Sequence, residues 1–153
     1  MKLNRLLPAI FSAVTWLGTP FFYVPVIAYL FTVQQLLAVR LALTMLIIEL
    51  SGGIIKLIYP KDRPTPQPKK TLRQKWDAGS FPSIHTARAV AIAIFLSALN
   101  TSWQFALAGT VLAAAVGYSR ICLRKHYTLD VIGGLLLGTF ISALLLATNH
   151  GTG

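Results

Sequence analysis

Three short polar clusters interrupt a strongly apolar chain, and their residue types suit the binding and transfer of a phosphate group. The clusters are Lys56-x₆-Arg63-Pro64, Pro82-Ser83-Ile84-His85 and Ser119-Arg120-x₅-His126-x₃-Asp130. Fixed cations stabilise the negative charge that spreads over the oxygens of a phosphoryl group in transfer, and they need no metal ion to do so. The candidate phosphate-binding residues are Lys56, Arg63, Ser83 and Arg120.

His126 and Asp130 are the candidate nucleophile and its orienting carboxylate. They are four positions apart, so on a helix they share a face. A carboxylate there can accept the Nδ1 proton of the imidazole and leave Nε2 unprotonated, as a histidine nucleophile requires. The alternative is a polar pair that only caps a helix, but ionisable residues at membrane depth are by default functional.

His85 is the candidate general acid, because phosphoryl transfer needs a group that protonates the leaving oxygen. A single histidine at a helix start is more often a solvated surface residue. Its position beside Ser83, at the same end of the apolar segments as His126, favours the catalytic interpretation. His150, in the C-terminal tail, has no predicted role.

The composition predicts a membrane protein with a single domain over residues 1–153. The chain is 55% hydrophobic and only 12% charged, whereas soluble domains are about one quarter charged. Its formal net charge of +10 is concentrated around the basic segment 56–75, which favours anionic lipid headgroups as partners over nucleic acid. Cys122 is the only cysteine and no Cys/His group has zinc spacing, so neither a disulfide nor a metal or other cofactor is predicted.

The apolar segments predict an all-α polytopic transmembrane helical bundle. A spanning helix needs about 20 mainly apolar residues, and the segments that satisfy or nearly satisfy this are about 36–58, 84–100, 103–123 and 127–147. Gly18-Thr19-Pro20 interrupts the first third, which favours an interfacial helix over about 3–15 and a first span over about 17–33. One kinked span is the alternative. The prediction is thus about five spans plus a short N-terminal interfacial helix.

Threading these spans brings the three polar clusters to one membrane face. The predicted catalytic core covers about residues 36–147, and the proline-rich loop 60–80 lies over the site. Gly134-x₃-Gly138 predicts a close helix approach. Glu49 is interpreted as a protonated structural residue or as the partner of a cation such as Arg88. The candidate headgroup contacts at this face are Arg88, Lys61 and Arg124.

The order and internal spacing of the three clusters resemble the signature of the phosphatidic acid phosphatase type 2 superfamily, which includes bacterial membrane lipid phosphatases. The resemblance covers about residues 17–147. It implies metal-independent hydrolysis of a lipid phosphate through a phosphohistidine on His126, with Asp130 orienting the ring and His85 acting as the acid. The family usually has glycine where this chain has Ile84, and isoleucine does not readily adopt a positive φ.

Family substrates suggest lipid A 1-phosphate, phosphatidylglycerol phosphate, phosphatidic acid or undecaprenyl pyrophosphate. The competing hypothesis is a non-catalytic protein that binds or transports an anionic lipid, and it gives no reason for Asp130 beside His126. A vanadate haloperoxidase is disfavoured by the apolar spans. No oligomeric state is predicted.

The resemblance implies a bacterial inner (plasma) membrane protein whose site faces the periplasm or exterior. The distribution of charge favours the opposite side. All lysines and arginines except Arg40 and Arg88 fall on the active-site face, and an excess of these residues is typical of the cytoplasmic side.

Overall fold

Helices are the only regular elements in residues 3–148, the part of the chain that the computed structural model describes. They are α1 (Leu3–Thr15), α2 (Pro20–Val33), α3 (Gln35–Ile58), α4 (Leu72–Ala78), α5 (Ile84–Leu99), α6 (Trp103–Cys122) and α7 (Thr128–Ala147), with a 3₁₀ turn at Trp16–Gly18. The all-α prediction is confirmed. His150 lies outside the described residues.

Three helices are long and apolar enough to cross a membrane by themselves, namely α3, α6 and α7. The segments Leu6–Gly18 and Pro20–Val33 meet these criteria only together, and they are bent by 41° where they join. Helix α5 is apolar but has only 16 residues. Length and composition therefore support three or four spans among the described residues, and the count of five stays a prediction.

The break between α1 and α2 falls where the sequence predicts it. Thr19 is extended, and Pro20 begins α2 at a position where its fixed φ suits a helix start. Gly18 faces the active-site end of α5, since a Cβ on this residue would lie 2.6 Å from the carbonyl oxygen of His85. The bend thus allows the first segment to pack closely against the residues of the site.

Helix α5 lies at the centre of the bundle, in contact with α3, α6 and α7. Its buried side chains join two apolar clusters, one with α3 that includes Ile48 and Phe95, and one with α6 that includes Val90 and Val116. The predicted close approach at Gly134-x₃-Gly138 is confirmed. A Cβ at either glycine would lie 2.4 Å from a backbone oxygen of the segment that leads into and begins α5.

The segment between α3 and α5, predicted as a loop, contains the short helix α4. Helix α4 begins with a capping box, in which the amide of Gln74 donates to the Thr71 hydroxyl and the Gln74 side chain accepts from the Thr71 amide. The Thr-x-x-Gln pattern was the available signal. Seven residues with several charges are too few to show a helical apolar period.

Candidate active site

Residues from the three clusters surround one cavity of about 110 Å³, as the threading of the spans predicts. Helices α3, α4 and α5 and the α6–α7 loop each contribute to its wall. Its lining residues are Glu49, Lys56, Arg63, Trp76, Asp77, Ile84, His85, Arg88 and His126. The two histidines, which are 41 positions apart in the chain (126 − 85), therefore face the same space.

His126 is held by a backbone carbonyl group and not by a carboxylate. Its ring is 2% exposed, and Nδ1 lies 2.7 Å from the carbonyl oxygen of Ser80. Because a carbonyl oxygen can only accept, Nδ1 carries the proton and Nε2 is the free nitrogen. Asp130 Oδ2 is 3.9 Å from Nδ1, which is beyond hydrogen-bonding distance. The prediction of a direct hydrogen bond from His126 to Asp130 is wrong. The predicted tautomer, with the proton on Nδ1, is nevertheless the one that the Ser80 carbonyl oxygen favours.

Asp130 is fully buried, and its oxygens are occupied by other donors. Lys61 Nζ lies 2.6 Å from Oδ1, while Oδ2 accepts from the Ser80 hydroxyl and from the Tyr127 amide at 2.7 Å. The Ser80 amide in turn donates to the Lys61 carbonyl oxygen at 2.8 Å. Asp130 therefore fixes Ser80, and Ser80 fixes the imidazole of His126.

Ser80 belongs to the candidate site although the sequence gives no signal for it. Its hydroxyl bonds to a residue 50 positions away and its contact with the ring is made by the backbone, so no local spacing indicates it. Lys61 was predicted to contact headgroups. The structure instead pairs it with Asp130 and places its ammonium 4.8 Å from the centre of the Tyr127 ring.

The cations of the site are largely withdrawn from solvent. Lys56 in the last turn of α3 and Arg120 in the last turn of α6 are both buried, and Arg63 is half-buried. The Nε atoms of Arg63 and Arg120 are buried without any hydrogen-bond partner among the described residues. Buried donors left unpaired cost free energy, and an anion bound between these guanidinium groups would satisfy them.

The charge around His126 favours its neutral form. The residue lies in the loop between α6 and α7, and burial lowers its pKa from 6.5 to about 3, with the positive charges of Arg120, Arg63 and Lys56 acting in the same direction. A buried imidazole among cations resists protonation. The ring is therefore neutral at physiological pH, with a free Nε2 that can act as a nucleophile.

Arg88 forms an ion pair with Glu49, as one of the two sequence interpretations of Glu49 predicts. Its Nε donates to Glu49 Oε1 at 2.5 Å, and Nη1 donates to the Gly18 carbonyl oxygen at 3.1 Å. The guanidinium group thus connects α5 with α3 and with the turn before α2. Although Arg88 lines the cavity, these bonds reduce its capacity to contact a headgroup.

Half of the ten predicted residues do not line the cavity, namely Lys61, Ser83, Arg120, Arg124 and Asp130. Arg120 nevertheless acts on His126 through its charge. The Ser83 hydroxyl is fully buried and lies 2.9 Å from Thr86 Oγ1, and its role in binding phosphate stays a prediction. Arg124 lies with Phe11 and Cys122 in a separate surface groove, and its φ of 52° begins the turn out of α6. Arg124 is therefore not part of the cavity that contains the histidines, and its contact with a headgroup stays a prediction.

Isoleucine fits at position 84 without backbone strain. Ile84 is the first residue of α5 and has helical geometry, so no positive φ is needed there. Its side chain occupies the space that Gly52 leaves on α3, where an added Cβ would lie 2.9 Å from Ile84 Cγ1. The departure from the family pattern is accommodated by this contact.

Residues 37–152 match the PAP2 superfamily, and the chain belongs to that family. The resemblance carried by the three clusters is therefore confirmed. Together with the apolar helices described above, this membership identifies an integral membrane protein.

Two curated relatives match most of this chain but less than two thirds of their own length. An undecaprenyl-diphosphatase from Sulfolobus acidocaldarius is 31% identical over 131 residues, which are 83% of this chain and 63% of the relative. The bacitracin transport permease protein BcrC of Bacillus licheniformis is 34% identical over 75% of this chain and 56% of its own.

Two solved structures share the fold. The crystal structure of Aquifex aeolicus LpxE has a TM-score of 0.79 and 26% identity, and the alignment covers 93% of this chain and 86% of that one. A PAP2-type phosphatidylglycerolphosphate phosphatase from Bacillus subtilis also has a TM-score of 0.79, with coverage of 97% and 79%. Its identity of 24% supports the fold alone.

Proposed function

We propose that this protein is a metal-independent membrane lipid phosphatase that acts through a phosphohistidine on His126. One observation carries the proposal. A neutral, buried imidazole is fixed at Nδ1 by Ser80 and lines the same cavity as Lys56, Arg63 and His85. An anion-binding or transport protein would need the cations but would have no use for an oriented nucleophile.

The reaction follows from the positions of these groups. Nε2 of His126 attacks phosphorus, and the bond from phosphorus to the ester or anhydride oxygen of the lipid breaks. His85 donates a proton to that leaving oxygen, and the negative charge of the bound phosphate favours the protonated ring from which the proton comes. Arg63, Arg120 and Lys56 stabilise the charge on the remaining phosphoryl oxygens.

A second step returns the enzyme to its starting form. His85, now neutral, removes a proton from a water molecule as the water attacks the phosphohistidine. The bond between phosphorus and Nε2 breaks, inorganic phosphate leaves, and both histidines regain their initial protonation states. Because the same residue serves as acid and then as base, no further proton carrier is required.

Among the four candidate lipids, the relatives favour a pyrophosphate. The Sulfolobus acidocaldarius protein is named an undecaprenyl-diphosphatase, and it matches 83% of this chain. The other three candidates are lipid phosphate monoesters, and they remain in the test panel because the match covers only 63% of that relative.

The proposed topology has five spans, with α5 as one of them and the bent α1–α2 pair contributing one. The site then lies at one membrane face, and α7 carries the chain to the other. We place the site at the periplasmic or outer face of a bacterial inner membrane. A reporter phosphatase fused after residue 148 tests this arrangement, since the reporter should remain inside and inactive. Reporter activity outside the cell would contradict it.

The decisive assay measures inorganic phosphate released from purified lipid phosphates in EDTA. Wild-type protein should release phosphate and orthovanadate should inhibit it, whereas His126→Ala and His85→Ala should lose release. Arg124→Ala is the matched control, because this arginine lies outside the cavity. Binding of lipid without release by the wild type would support the alternative of a lipid-binding or transport protein.

A further inference from the structure

An apolar groove opens directly beside the catalytic cavity. It has a volume of about 520 Å³ and is lined by Leu57, Leu72, Trp76 and Asp77. Trp76 and Asp77 also line the cavity of about 110 Å³ that contains the two histidines. The two spaces thus share a wall formed by the last turn of α4, and a molecule whose phosphate fills the cavity reaches the groove at these residues.

The polarity of the surface changes sharply between the two spaces. The cavity is surrounded by Lys56, Arg63 and Arg88, whereas the groove is bounded mainly by hydrocarbon and an indole. Leu72 is 76% exposed although it is a large apolar residue, and Leu57 in the last turn of α3 is also exposed. Such side chains at the membrane surface lower their free energy when another apolar group covers them.

Trp76 gives the groove a defined floor. Its indole lies against Gly53 on α3, where an added Cβ would come within 1.7 Å of Cζ2. Only glycine allows the indole to lie this close to the helix. Helix α4 is also held near the site by Arg63, which donates to the Asp77 carbonyl oxygen. The wall between cavity and groove is therefore attached both to α3 and to the loop that carries Arg63.

We infer that this groove binds the headgroup-proximal part of the substrate's hydrocarbon chain and so selects lipid phosphates over soluble ones. The inference rests on the proposed function. The phosphate binds in the cavity. The ester or anhydride linkage lies beside the shared wall of Trp76 and Asp77, and the hydrocarbon chain extends through the groove past Leu57 towards the bilayer. A soluble phosphate ester fills the cavity and leaves the groove empty.

The first test compares two substrates with the same headgroup, one long-chain and one short-chain, in detergent micelles. Leu72→Ser and Leu57→Ser should raise KM for the long-chain substrate about tenfold and leave kcat unchanged. The short-chain substrate should show no change. Leu129→Ser is the matched control, since Leu129 is 67% exposed in the first turn of α7 and lies outside the groove. Unchanged KM in both groove variants, or an equal rise for both substrates, would overturn the inference.

A second measurement does not depend on turnover. In His126→Ala protein with Trp16→Phe and Trp103→Phe, Trp76 is the only tryptophan. A lipid phosphate brominated near its headgroup should quench Trp76 fluorescence more strongly than a neutral lipid with the same brominated chain. Equal quenching by the two lipids would refute chain binding in the groove. Failure of the proposed function would appear separately, as absence of phosphate release by wild-type protein.

Discussion

The carbonyl oxygen of Ser80 lies 2.7 Å from Nδ1 of His126, whereas Oδ2 of Asp130, the carboxylate that sequence spacing predicted at this position, is 3.9 Å away. The Ser80 hydroxyl bonds to Asp130, so the carboxylate acts on the ring through an intermediate residue. This arrangement makes the loop before α5 part of the proposed catalytic unit. It also predicts effects of mutation at Ser80 that a direct Asp130–His126 contact would not produce.

Replacing Ser80 tests this indirect orientation. Ser80→Ala keeps the carbonyl group but removes the bond that fixes it, and a small displacement of a reacting group can reduce the rate up to about 100-fold. We expect kcat to fall by at least about tenfold with KM little changed. Ser97→Ala is the control, because the Ser97 hydroxyl donates to the Ala93 carbonyl oxygen within α5, away from His126 in sequence and contact. Full activity in Ser80→Ala would show that its hydroxyl does not position the ring.

The unpaired guanidinium nitrogens predict a strong effect on anion binding. Nε of Arg120 is buried without a partner among residues 3–148, and a hydrogen bond to a charged group is worth about 1.5–3 kcal/mol. Arg120→Gln should therefore raise the inhibition constant of orthovanadate at least about tenfold. Inorganic phosphate should raise the Tm of wild-type protein more than that of the variant. Arg124→Gln should match the wild type in both measurements, and weakened vanadate inhibition in that control would contradict the assignment.

The pKa of His126 predicts how stability depends on pH. Burial among cations lowers this pKa from 6.5 to about 3 in the folded protein, while the unfolded chain has the ordinary value. The unfolded state thus binds more protons below pH 6.5, and the stability contributed by the neutral ring is lost as pH falls from about 6.5 towards 3. Tm should decrease over this range, and it should decrease less in His126→Gln. Equal pH dependence in both proteins would contradict the shift.

The contact between α5 and α7 predicts sensitivity to one methyl group. A Cβ at Gly138 would lie 2.4 Å from the Ala87 carbonyl oxygen, which belongs to the backbone and cannot rotate away. Gly138→Ala should lower the free energy of unfolding by about 1–3 kcal/mol, as overpacking typically does. Leu136→Ala, at an exposed position of the same helix, should have a smaller effect. A Tm for Gly138→Ala equal to that of the wild type would show that the helices separate without cost.

Much of the fold and site could be predicted because it depends on patterns within short segments. Apolar length predicted α3, α6 and α7, and the break at Gly18-Thr19-Pro20 predicted the bend before α2. The convergence of His85 and His126 followed from threading alone, since antiparallel helices return the chain to the same face. These features need no knowledge of side-chain contacts.

The remaining features depend on the three-dimensional path of the loops. Ser80 acts through a backbone carbonyl group that any residue carries, so its type gave no signal for the contact with His126. Lys61 and Arg124 look equivalent in sequence, yet one is paired with Asp130 and the other lies in a separate groove. Ser83 turned inward to Thr86 because the segment enters α5 at that point. Loop geometry decided each case.

The central claim is that phosphorus becomes bonded to His126 during turnover. The most direct measurement mixes wild-type protein with a lipid that carries a radiolabelled terminal phosphate. The reaction is quenched rapidly in alkali, which preserves phosphohistidine, and the labelled peptide is identified by peptide mapping. The label should appear on the peptide that contains His126 and be absent in His126→Ala. Release of phosphate by wild-type protein with no label on His126, or with label on another residue, would contradict the proposed mechanism.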